Sequence, residues 1–367
     1  MKMVKLIVGL LLTINCYCQP TEYSRQLFGN NCYLQFPGPT NIAGSSLSTT
    51  EGCASICDGS GNLLFYSDGV KVWNKNHIQM PNGFGLLGNP STTQSCIIVK
   101  KPLSTTQYYI FTAPEAATTN MVCYSVVDIS LNSGLGDLIQ KNQSLFGSNT
   151  FFTEKLTFTY HCNGVDIWII TKEKGNSIFK CWRLDSTGIV QWTASLTGYV
   201  LTTNLSDNIG CIKVSPSGDL LAVCHYGVNR VYLYDFNNVT GIISNERLLS
   251  STIAGPYGCE FSSNSQYLYV GYNSGSFIHR YDVTNINPQT TRTAIASGVG
   301  NFCGTFQRIG NTIYIAQATT TYLDAITNID GGGIFNQNYI LTIGTVRFGL
   351  NQILYPINQQ LPIITTN

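Results

Sequence analysis

Two stretches of this 367-residue chain align on each other without a gap. Residues 214–236 read VSPSGDLLAVCHYGVNRVYLYDF and residues 261–283 read FSSNSQYLYVGYNSGSFIHRYDV, 23 residues at an offset of 47. Ser215/Ser262, Leu221/Leu268, Val223/Val270, Tyr234/Tyr281 and Asp235/Asp282 are identical. Each stretch reads as strand, tight turn, strand, loop, strand, and Leu221-Val223 and Tyr267-Tyr269 alternate with the period of two that a pleated strand requires. Ser60-Gly61-Asn62-Leu63-Leu64 follows the plan of Ser217 to Leu221, and Asn311 to Ile315 that of Gln266 to Val270. A first strand falls near Cys53, Cys96, Leu156, Cys211, Cys259, Cys303 and Val346, separations of 43, 60, 55, 48, 44 and 43. A repeat of about 40 to 50 residues, four strands per repeat and no convincing helix predict an all-β chain folded as a β-propeller. Seven four-stranded blades fit best; six or eight remain open, and an array of sandwiches lacks the Pro- or Gly-rich linkers it would need. Only one strand, at 346–354, follows the sixth repeat. The last blade must therefore borrow strands from the other end, and residues 26–36 (QLFGNNCYLQF) are the donor. N- and C-terminal strands would then close the ring and remove its bare sheet edges.

The first 18 residues read as an address. Lys2 and Lys5 precede an apolar run from Leu6 to Ile14, and small side chains at Cys16 and Cys18 precede Gln19, the order of a cleavable signal peptide. Nine apolar residues fall short of the ~20 that span a bilayer. Lipidation needs a small residue before the cysteine, and Asn15 and Tyr17 stand there instead. The expected organisation is a signal peptide over 1–18, a single propeller domain over 19–367, and a secreted or cell-surface protein with no transmembrane segment.

Eleven of the 13 cysteines follow that leader, an odd number, so at least one is unpaired or bonded to another chain. There is no C-x-x-C, and His77, His161, His225 and His279 are far apart, which argues against a zinc site. Along a strand Cys53 and Cys57 lie ~13 Å apart, beyond disulfide reach. Most of the thiols read as small buried residues. Charged residues make up 11% of the chain and the net charge is +1. That is less than half the ~25% of ordinary domains, and it excludes a basic nucleic-acid binder.

Glu51-Gly-Cys-Ala-Ser-Ile-Cys-Asp58, Gly61 to Gly69 (GNLLFYSDG), Val72-Trp-Asn-Lys-Asn-His77, Met80-Pro-Asn-Gly83, Ser91 to Ser95 (STTQS) and Tyr108 to Thr112 (YYIFT) form a distinctive series. The series resembles the N-terminal propeller of large exported Bacteroidetes proteins linked to gliding motility and type IX secretion. The resemblance extends over about 26–355, with Leu27 to Asn31 and Phe348 to Leu350 as ring-closing ends, and the middle repeats resemble WD-type and YVTN-type blades. It implies a propeller at the cell surface.

No G-x-S-x-G elbow and no phosphate-cradling glycine loop occurs, and Asn328-Ile-Asp330-Gly331 offers too few alternating oxygens for calcium. Trp73, Trp168, Trp182 and Trp192 are capable of stacking on sugars, but three lie in strand-like runs where core packing is the simpler role. No catalytic residue, metal or cofactor is assigned. The expected function is recognition of a cell-envelope protein or glycan; a propeller enzyme of the lactonase type is the alternative, because the fold decides neither. The expected docking surface is the face carrying the loops between second and third strands. Read off the repeats, these supply Asp68, Glu115, Lys172, Glu173, His225, Tyr226, Tyr272, Asn273 and Gln317. Tyr226 and Tyr272 are the aromatic anchors of that set.

Overall fold

A computed structural model describes residues 20–357, apart from 117–120, 147–150, 202–203, 274–276 and 299–302. The expected leader lies outside the described residues. Seven antiparallel sheets follow one another along the chain and form a seven-bladed propeller. Blade 1 is built from Ala54–Cys57, Leu63–Ser67 and Val72–Asn74, and blade 2 from Cys96–Lys100, Gln107–Thr112, Cys123–Asp128 and Asp137–Ser144. Blade 3 comprises Phe152–Tyr160, Ile167–Glu173, Phe179–Leu184 and Ile189–Ser195; blade 4 comprises Ile212–Val214, Leu220–His225, Arg230–Asn237 and Ile242–Ser250. Blade 5 has Pro256–Phe261, Tyr267–Tyr272, Phe277–Asp282 and Thr293–Ala296, and blade 6 has Cys303–Ile309, Thr312–Gln317, Tyr322–Thr327 and Ile334–Leu341. Blade 7 takes Arg25–Phe28, Cys32–Gln35 and Thr40–Asn41 from the start of the chain.

The 47-residue repeat is kept as register. Leu221 faces Tyr234 across blade 4, and Leu268 faces Tyr281 across blade 5. Both pairs are buried, so a slip by one residue would turn the apolar set to solvent. Aromatic pairs bridge neighbouring blades: Phe65 meets Tyr108 with centroids 5.6 Å apart, Phe179 meets Tyr234 at 5.1 Å, and Phe36 meets Tyr314 at 5.1 Å. Burial of each such ring contributes about 1.5–3 kcal/mol before entropy is charged against it. Trp73, Trp168 and Trp182 are core residues, while Trp192 is half exposed. All eleven described cysteines are free thiols, ten of them buried.

The ring closes where the two ends meet, but not through the regular strand expected at 346–354. Asn30 and Thr345 exchange backbone hydrogen bonds of 2.9 and 3.0 Å, and beyond that bridge the segment forms no ladder. Phe348 ties blade 1 to blade 6 instead: its N–H donates to Thr50 and its carbonyl accepts from Thr305. A side chain then stands in for the missing rungs. The Asn351 amide, oriented as its neighbours dictate, donates to the Leu27 carbonyl (2.8 Å) and accepts from the Leu27 N–H (3.2 Å). Glycine lets the backbones approach this closely: a Cβ on Gly349 would lie 2.0 Å from the Glu51 carbonyl oxygen, and one on Gly344 would lie 2.1 Å from that of Asn30. Blade 1 departs from four strands as well, its outermost position being held by the single bridge from Trp73 to Gln79.

Candidate functional site

Every first strand starts from a connection between blades, so one end of the axis is ringed by those connections and by the loops between second and third strands. The two sets of loops are bonded to each other. The Asn273 N–H donates to the Gly255 carbonyl, that of Gly227 to Ser206, that of Gly198 to Ser177 and that of Thr319 to Val346. This is the face expected to dock a partner, and the structure locates all nine expected residues on it.

Most of them point inward. Asp68 is buried and its carboxylate caps a turn, accepting from the N–H groups of Val70 (2.8 Å) and Lys71 (2.7 Å). The buried Gln317 donates to Asp324 at 2.7 Å. Lys172 is buried with its ammonium on the Asn176 carbonyl, and burial brings its pKa down to about 7. Glu173 pairs with Lys180 at 3.2 Å, both nearly inaccessible. His225, expected in a loop, ends the Leu220–His225 strand and is fully buried; burial, aided by the ammonium groups of Lys155 and Lys172, holds it neutral. Tyr272 is fully buried and its hydroxyl lies 2.8 Å from that of Tyr281, so substituting it perturbs folding before it perturbs any surface. Glu115, Tyr226 and Asn273 remain half-buried and reach the surface. The physical reason is common to the six: they close the ends of second strands, where the pleat and the neighbouring blade still cover them.

At the axis Tyr226 packs edge-on against Tyr257, and Tyr257 against Phe348. Beside them lie Glu51 and Glu154. Glu154 is buried and saturated, accepting from the Thr93 N–H and hydroxyl (2.9 and 2.7 Å) and from the Ala116 N–H (3.0 Å). Burial, reinforced by the Glu154 and Glu115 carboxylates, pushes Glu51 up to about 8, so it carries a proton at neutral pH. Deeper in the channel, one repeat position supplies three blades: Lys213, Glu260 and Gln307, each 47 residues after the last. The Lys213 ammonium donates to Glu260 and to Gln307, both at 3.0 Å. Gln352 of the closing segment completes the layer, donating to the Leu156 carbonyl at 2.7 Å. Among the described residues this layer crosses the axis, with a cavity of about 40 Å³ below it and another of about 10 Å³ above it.

Among the described residues, no group of three or more His, Cys, Asp or Glu side chains is arranged to hold a metal, and no helix is long and apolar enough to cross a membrane. The residues that sequence reasoning missed lie on the connections into and out of blade 3. Phe151, Leu196, Val200 and Leu205 are 43, 76, 60 and 47% exposed there. Their signal was an apolar residue recurring in a Ser-, Thr-, Gly- and Asn-rich loop.

No family model matches the chain, and no curated protein does. Solved propellers do. A protein from Bacteroides uniformis provisionally assigned as a 6-phosphogluconolactonase aligns over 88% of this chain and 98% of its own, with a TM-score of 0.56 and 10% identity. A protein from Lactobacillus plantarum aligns over 89 and 98%, with a TM-score of 0.53 and 14% identity. Hydrazine synthase of Kuenenia stuttgartiensis aligns over 85 and 96%, with a TM-score of 0.50 and 12% identity. At such identities the likeness concerns the fold alone.

Proposed function

We propose that this chain is an exported binding and adhesion module that holds a cell-envelope protein or glycan on the face carrying the between-blade connections. The observation that carries this reading is the contrast between that face and the axis. Ligand pockets that enclose a substrate measure about 300–1,000 Å³, whereas the axial cavities here measure about 40 and 10 Å³. The face, by comparison, leaves the apolar side chains of Phe151, Leu196, Val200 and Leu205 exposed on two consecutive connections, where a partner would cover them. The resemblance of residues 51–112 to propellers of exported Bacteroidetes proteins linked to gliding motility and type IX secretion supports the same address.

The test is capture of envelope proteins and a glycan array with the purified chain, alongside the double substitution Leu196→Ser, Val200→Ser and the single substitution Tyr226→Ala. A partner retained by the wild type and lost at least tenfold by the double variant, with unchanged melting, supports the reading. Full retention by both variants would move the site off this face. The competing reading, a lactonase-type enzyme, draws on the description of one structural neighbour; ring opening of a sugar lactone by the purified chain would favour it.

A further inference from the structure

At the opposite end of the axis lies a buried cation, Arg308, with no carboxylate partner among the described residues. Arg308, next to the end of Cys303–Ile309, is only 4% exposed and lines the cavity of about 40 Å³ together with Lys213, Glu260, Gln307, Thr157 and Tyr355. Glu260 is already engaged: one oxygen accepts from Lys213 at 3.0 Å and the other from the Phe261 N–H at 3.0 Å. The Arg308 guanidinium lies over the Tyr355 ring, 3.9 Å from its centroid. Among the described residues its side chain has no ion pair, and its Nε is buried without an acceptor. Glu260 thus serves Lys213 and also accepts from the Arg308 backbone N–H at 3.3 Å, which leaves the guanidinium without a carboxylate of its own.

Arginine does not escape this by losing its proton. A tyrosine face returns to a cation only part of what desolvating an unpaired charge costs. We propose that the cavity is a carboxylate-binding site, with Arg308 as the fork and the Lys213 ammonium beside it. One water needs about 10–15 Å³, so the cavity accepts a head group of a few atoms and leaves the remainder of its bearer outside. The planar guanidinium matches two coplanar oxygens, which favours carboxylate over chloride and over the tetrahedral oxygens of phosphate. The site is independent of the docking face proposed above and lies at the other mouth.

The experiment is titration of the purified full chain with sodium acetate, sodium chloride and sodium phosphate at matched ionic strength, read by calorimetry and by melting temperature. Acetate should bind and raise the melting temperature in a dose-dependent way that chloride and phosphate do not reproduce. Arg308→Gln should abolish that response, and Arg308→Lys, which keeps the charge without the fork, should bind acetate at least tenfold more weakly. Equal responses to acetate and chloride in the wild type, or an acetate response that persists in Arg308→Gln, would overturn the site. Should Arg308→Gln not fold, the wild-type comparison and Arg308→Lys decide. A glutamate blocked at both ends identifies the source: binding alongside acetate admits acidic protein side chains, whereas acetate binding alone confines the site to small carboxylates.

Discussion

Glu51 shows how one side chain ties the stability of the ring to pH. Its carboxyl group is raised to about 8 by burial and by the Glu154 and Glu115 carboxylates, against an ordinary value of 4.5. The folded chain therefore keeps a proton that the unfolded chain releases. The contribution is fully present below pH 4.5 and is lost as pH rises toward 8, with a limiting slope of about 1.4 kcal/mol per pH unit for one proton. Glu51→Gln keeps the shape of the protonated acid and removes the titration. The variant should melt with the wild type near pH 5 and progressively above it toward pH 8, as followed by circular dichroism across that range. A constant offset at every pH would mean that Glu51 is ionised in the fold. The same burial explains why the site was only partly legible from sequence. Asp68, Lys172 and Gln317 are polar residues at strand ends, and a single sequence does not tell a side chain capping its own turn from one offered to a partner.

At the scale of the strand, the repeat was readable because each strand pairs by the same alternation. Residues 47 apart fall on the same rung, Leu221 with Tyr234 and Leu268 with Tyr281. The same position yields Lys213, Glu260 and Gln307 in three consecutive first strands, though their meeting at the axis needs the closed ring to be seen. What escaped was pairing that leaves no period. The outer edge of blade 1 is one bridge at Gln79, and the closing segment pairs through the Asn351 amide rather than through alternating backbone groups. That substitution of amide for ladder is testable. Asn351 is fully buried, so Asn351→Ala leaves the Leu27 N–H and carbonyl without their partner and should cost roughly 1–3 kcal/mol. Asn351→Asp, which accepts but does not donate when ionised, should fall at least as far at neutral pH. Urea denaturation measures both, and wild-type stability in Asn351→Ala would mean that the amide only fills space.

For the molecule as a whole, the decisive feature is that both ends of the described chain serve blade 7, and among the described residues non-covalent contacts close the ring. The start of the chain also props blades 1 and 2: the Ser55 hydroxyl donates to the carbonyl of Arg25 in the first strand of blade 7 at 2.6 Å, and the hydroxyl of Tyr23, just before that strand, donates to the Ile98 carbonyl of blade 2 at 3.1 Å. Removing residues 26–36 would strip Asn351 of its partners at Leu27, leave Thr345 without Asn30, and bare the edge of blade 1 to water. Because each blade is stabilised by burial against two neighbours, the loss is shared around the ring rather than confined to one seam. A truncated chain should therefore unfold over a broader range and at lower temperature, and its bare edges should promote association, as unpaired strands do. Differential scanning calorimetry with sedimentation reads both consequences. Were the truncated chain to melt as sharply and as high as the full one, the blades would be stable without closure, and the ends would be appendages to a ring of six.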